Sequence, residues 1–189
     1  PLGCAPGAGI VHRDGKPESV ILVDEDGDAD LAKILDFGIA KLFDGANLPS
    51  DDPRLTQLGV TIGTPTYIAP EQAFGQPIDA RADLYALSVM LYEMITGVPP
   101  FEADEVVQLL SMHTSAEVPP FRKTAPDERV PKSVETLIRD GREKNRDDRV
   151  PTAGEYIARI DEILDADASS LSVDGESGLR EIPSLMAEG

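Results

Sequence analysis

A mainly α-helical domain with one small β-hairpin is the fold class that this 189-residue sequence predicts, and three observations carry the prediction. Residues 19–37 hold the β-branched run SVILV, the acidic turn DEDGDAD and then LAKILDF, with apolar residues at period two, the pattern of a two-stranded hairpin. Residues 80–96, ARADLYALSVMLYEMIT, are apolar almost all the way round, which marks a helix buried on every side. Three later segments repeat the 3.6-residue spacing of amphipathic helices.

In chain order, PLGCAPGAG (residues 1–9) holds two prolines and three glycines, so it reads as irregular, with structure beginning near Ile10. It has no basic region and no initiator methionine, and the chain reads as partial. After the hairpin, residues 39–68 mix glycine, proline and threonine with the acidic cluster PSDDP and show no periodicity. That is a long ordered or switchable loop. The central helix follows, capped by Gly97 and stopped by Pro99 and Pro100. DEVVQLLSMHTS (104–115) fits an amphipathic helix. Another starts near Lys132, with Val134, Leu137 and Ile138 as its stripe, but the next apolar slots hold Gly141 and Arg142, a local conflict with the pattern. A last helix, 152–164, gives way to an acidic, Ser/Gly-rich flexible tail, 165–189.

The formal charge of −18 argues against nonspecific binding to nucleic acid or anionic membrane and suits a basic partner. A single cysteine, Cys4, allows no intrachain disulfide and fits a reducing compartment. No apolar run is long enough to span a membrane.

Three motifs carry chemistry: HRDGKPES (12–19), LDFGIAK (35–41) and GTPTYIAPE (63–71). Phosphoryl transfer needs an acceptor hydroxyl held in line, a group to receive its proton, and metal ions to neutralise the phosphates, and carboxylates serve two of these needs. With HRD, KPE, DFG and APE in order, followed by DARADLYALSVMLYEMITGVPPF, the chain from about Ile10 to Leu164 resembles the C-terminal (large) lobe of the eukaryotic-like serine/threonine protein kinases of bacteria.

The resemblance implies a role for each matching position. Asp14 is the base that orients the substrate hydroxyl, Lys16 steadies the transferred phosphate, and Thr64 contacts both. Asp36 holds Mg2+, with Mn2+ as an alternative ion, and Ser19 stands where the family places a second metal ligand. Ile21 packs beneath the adenine of ATP, and Leu35, just before the metal aspartate, is the other nucleotide-binding position beside Lys16. His12, Phe37 and Gly38 support the site, Asp83 accepts hydrogen bonds from the HRD backbone, and Glu71 and Arg149 form a buried ion pair. Thr56 and Thr61 lie in the activation segment (36–71), where a phosphate could pair with Arg13.

The implied partners are Ser/Thr-bearing protein substrates of basic character, and a small kinase lobe, in cis or in trans, that completes the ATP site. The implied setting is cytoplasmic bacterial signalling, with full-length relatives that are membrane-anchored. The chain departs from the family pattern in several places. Ser19 replaces an asparagine, Gly15 a leucine and Ser88 a glycine, and no glycine-rich loop, lysine strand or partner-glutamate helix is present. A noncatalytic, pseudokinase-like binding module is the alternative these departures raise.

Overall fold

In the computed structural model the described residues are 11–25, 28–35, 65–127 and 129–173, with backbone alone at 28, 29 and 169–173. A 3-10 turn, Pro17–Ser19, leads into β1 (Val20–Glu25), which pairs antiparallel with β2 (Asp28–Ile34). The register Val20↔Ile34, Leu22↔Ala32 and Glu25↔Asp28 leaves only residues 26 and 27 between the strands. Cross-strand partners share a face, so Val20, Ala32 and Ile34 point one way and Ile21 and Val23 the other. A register shift between Val23 and Glu25 marks a bulge near the turn.

Helix α1 (Pro70–Ala73) is a single turn, and α2 (Arg81–Thr96) is the long helix predicted over 80–96. Asp79 starts α2 by accepting the Arg81 N–H, and Gly97 ends it at φ 77°, the left-handed conformation in which glycine carries no Cβ penalty. The all-round apolar character of α2 has a direct cause: it meets a different cluster on each side. Tyr85 and Val89 pack with Ala69, Leu84 packs with Leu137, Val150 and Tyr156, and Tyr92 packs with Phe121 and Ile138.

Around this axis lie α3 (Val106–Ser115), a short α4 (Phe121–Thr124), α5 (Lys132–Gly141) and α6 (Ala153–Val173). Helix α6 runs nine residues past Leu164, so residues 165–173, expected to be tail, are helical. Their acidic side chains are exposed at 165 and 167, and an exposed helical turn needs no apolar stripe.

The conflict at Gly141 and Arg142 resolves in the packing. A Cβ built on Gly141 would lie 2.0 Å from Ser88 Oγ, and that hydroxyl donates to Leu84 O and lies 2.9 Å from Tyr156 Oη. The serine in α2 and the glycine in α5 are therefore complementary. Arg142 is buried, donates Nε–H to Ile138 O and lays its guanidinium 4.7 Å from the centre of the Tyr92 ring. Burial lowers its pKa to about 10, and a stem and planar head fill space that an apolar side chain was expected to fill.

Candidate active site

Residues 12–19 form a loop held from several directions. Asp83, in the first turn of α2, accepts the His12 N–H at 2.8 Å and the Arg13 N–H at 2.9 Å. Burial raises the Asp83 pKa, and these two N–H bonds oppose the rise by favouring the charged form. Arg13 sits at φ 68°, a conformation that costs a non-glycine residue on the order of 1 kcal/mol and persists where neighbours over-determine it. Gln72 supplies another of those restraints: its amide Nε2 donates to Arg13 O at 3.0 Å, while its Oε1 accepts the Ala69 N–H. Gln72 thus ties the APE segment to the catalytic loop.

His12 is buried. Its Nδ1 accepts the Asp14 N–H at 3.4 Å, and its Nε2 lies 3.3 Å from Leu35 O, an arrangement that one tautomer, protonated on Nε2, satisfies. Lys16 Nζ lies 3.5 Å from Asp14 Oδ2, with both side chains about 40% exposed. A carboxylate and an ammonium thus sit side by side and reachable. Ser19 is buried, and its carbonyl accepts the Leu35 N–H at 2.8 Å, fastening the loop to the end of β2. Ile21 and Leu35 remain about 40% exposed.

Asp36, Phe37, Gly38, Thr56, Thr61 and Thr64 lie outside the described residues. Among the described residues no group of three or more His, Cys, Asp or Glu is arranged to hold a metal ion.

Beneath the loop lies an apolar cavity of about 280 Å³ between the hairpin and α2, lined by Gly15, Val20, Ile34, Leu87, Met90 and Ile157 among others. A Cβ on Gly15 would stand 3.3 Å from Ala86 Cβ and 3.8 Å from Met90 Cε. The missing side chain at Gly15 borders this space.

Glu71 and Arg149 meet in a buried bidentate pair at 2.7 and 2.6 Å. Arg149 also donates to Glu143 O, Arg81 O and Lys144 O, so all five of its N–H groups are engaged, and it stacks over Tyr85. That full satisfaction is the condition under which a buried pair is tolerated.

Sequence reasoning missed three supports. Gln72 follows the APE triplet but carries no chemistry of its own. His113, wholly buried in α3, pairs its Nδ1 with Tyr85 Oη at 2.9 Å and meets the edge of Phe101; burial and the nearby Lys144 lower its pKa to about 4. Tyr67 donates to Glu93 at 2.6 Å, linking the turn Pro65–Tyr67 to α2. Only a polar residue inside an otherwise apolar helix stripe, as at His113, could have flagged one of them.

Residues 7–160 match the family model described as the protein kinase domain. The chain is 42% identical over 159 residues to the serine/threonine-protein kinase pkn3 of Myxococcus xanthus, covering 84% of this chain and 28% of that protein. It is 42% identical over 148 residues to the serine/threonine-protein kinase Pkn1 of the same organism, covering 78% and 20%, and 38% identical over 154 residues to the serine/threonine-protein kinase PknD of Mycobacterium tuberculosis, covering 82% and 21%. The chain thus spans between a fifth and just over a quarter of the length of these relatives. With an HRD loop pinned by Asp83, a buried pair behind APE, and a family match over most of its length, this chain belongs to the protein kinase family.

Proposed function

We propose that this chain carries the large-lobe part of a serine/threonine protein kinase that transfers the γ-phosphate of ATP to protein Ser/Thr hydroxyls. The observation that carries this reading is the Asp14–Lys16 pair, 3.5 Å apart and half exposed, on a loop fastened by Asp83 and by β2. Asp14 accepts the proton of the incoming hydroxyl, and Lys16 balances charge on the phosphoryl oxygens.

The residues present fit the nucleotide in part. Ile21 and Leu35 offer half-exposed apolar surface for adenine, and Lys16 offers a cation for phosphate. Asp36 and the Ser19 hydroxyl are the oxygen donors assigned to Mg2+ or Mn2+. When bound, the ion neutralises phosphate charge. A small lobe, in cis or in trans, supplies the glycine-rich loop and lysine that close over the phosphates. The family pattern assigns Thr64 to contact with Asp14 and Lys16, and phosphate on Thr56 or Thr61 would pair with Arg13, whose side chain is exposed. The setting is the cytoplasm, and among the described residues no helix is long and apolar enough to cross a membrane.

The test is transfer from radiolabelled ATP to a basic protein in the presence of a small kinase lobe. Asp14→Asn lowers the rate at least about a hundredfold, and the label appears on serine and threonine. Transfer unchanged by Asp14→Asn, or label on tyrosine alone, contradicts the reading.

A further inference from the structure

A second pocket, of about 260 Å³, lies where α1, the end of α3 and the loop at residues 144–147 meet, lined by Glu71, Phe74, Lys144, Asn145, Arg146 and Asp147 among others. Its charges are unlike those of the chain as a whole, which is strongly acidic. Both of its carboxylates are already engaged: Glu71 by the Arg149 fork, and Asp147 by Arg81 at 2.8 Å.

Its cations are not matched in the same way. Arg146 donates from Nη1 to Pro77 O at 2.5 Å, and its nearest carboxylate, Asp79 at 3.8 Å, is gripped by Arg81 through both carboxylate oxygens, so its charge has no close counter-charge of its own. Lys144 donates to Met112 O at 3.3 Å and lies over the Phe101 ring, and among the described residues no carboxylate stands within ion-pair distance of it. Burial, and behind it the neighbouring Arg142 and Arg149, lower the Lys144 pKa to about 8, and an anion docked beside the ammonium would favour its charged form. At the rim, Phe74 leaves 64% of its surface exposed.

We propose that this pocket binds the anionic side chain, carboxylate or phosphate, of a peptide segment docked on the protein, with Lys144 and Arg146 as its cations and Phe74 as an apolar rim. Charge-assisted hydrogen bonds from two cations orient the anion, and the exposed ring selects an apolar neighbour in the segment. This site goes beyond the phosphoryl-transfer reading and separates the two polarities of the molecule. The acidic bulk favours basic sequence, and this pocket favours one acidic residue.

The experiment is fluorescence anisotropy on the full chain with three labelled octapeptides that differ at one position. Each carries a phenylalanine, followed two residues later by glutamate, phosphoserine or glutamine, and inorganic phosphate serves as competitor. The glutamate or the phosphoserine peptide binds saturably and at least tenfold more tightly than the glutamine peptide, and the tighter of the two identifies the anion. Lys144→Met, which keeps the stem, and Arg146→Gln each weaken binding at least fivefold, while bound peptide slows acylation of Lys144 read by mass spectrometry. Asp14→Asn leaves binding unchanged, so failure of the kinase reading is distinguishable from failure of this one. Equal binding of the glutamine peptide, undiminished binding by both folded variants, or inorganic phosphate binding as tightly as peptide overturns the proposal.

Discussion

Arg149 and Glu71 show what a single residue can be asked to do. Both are buried, and the arginine commits every N–H it has. Glu71→Gln keeps the shape but leaves a buried guanidinium without its counter-charge, a change expected to cost about 3 to 5 kcal/mol. Equilibrium urea denaturation reads that loss, and a loss under about 1 kcal/mol would mean that the pair behaves as a surface contact. His113 gives a pH dependence. Its folded pKa of about 4 lies below the ordinary value of 6.5, so between those values the unfolded chain binds more protons. The stability contribution is therefore complete above pH 6.5 and is lost as pH falls toward 4. Replacing the ring by glutamine, His113→Gln, flattens the slope of denaturation midpoint against pH in that window. Asp79, whose contacts with Arg81 hold its carboxyl at about 2, and Asp83, whose pKa is raised by burial, are present in both proteins, so the difference between the two slopes isolates His113.

Between elements, the contact of α2 with α5 rests on the Ser88–Gly141 complementarity. Gly141→Ala drives a methyl into Ser88 Oγ and is expected to destabilise by about 1 to 3 kcal/mol. Adding Ser88→Gly removes the nearest obstacle and leaves only Tyr156 Cε2, at 3.0 Å, so the double-mutant cycle returns a favourable coupling of about 1 kcal/mol or more. Additive effects would show that the two positions are independent. The sequence marked Gly141 as a conflict because periodicity registers only polarity, whereas the compensating serine is 53 positions away and is met only in the fold. Helices α2 and α5 were legible because their patterns are long. The single-turn α1 and α4 were not, since four residues carry no period, and the extension of α6 past Leu164 was hidden because its exposed residues 165–168 need no apolar stripe. The loop of residues 12–19 passes over α2 beside the apolar cavity. Gly15→Leu places apolar volume into the cavity bordered by Leu87 and Met90, with only a slight yielding of Ala86. It is expected to raise stability by roughly 1 to 2 kcal/mol, less than full burial of a leucine gives. Destabilisation in thermal or urea unfolding would show that the loop cannot accept a side chain there.

Across the whole molecule, the family was legible because four short motifs fall in order along the chain, and the family model matches residues 7–160. The architecture explains why those motifs belong together. One helix, α2, carries Asp83 to the HRD loop at one end, contacts the turn before APE through Tyr67 and Glu93, and presents Tyr85 to Arg149. Less legible was the network that joins these pieces: Gln72 and His113 act through backbone and buried hydroxyl contacts that no motif spells out. The net charge of −18 is a property of the whole chain, and its attraction for any basic partner weakens as salt rises. In the proposed kinase site this chain supplies the metal- and phosphate-binding part. The deciding measurement is calorimetry of magnesium-dependent ATP binding by the chain together with a small kinase lobe, with Asp36→Ala beside it. Saturable binding that requires magnesium and disappears in Asp36→Ala is the expected result, whereas a folded chain that adds no nucleotide binding to the small lobe alone, or whose binding is equal without magnesium or without Asp36, contradicts that role.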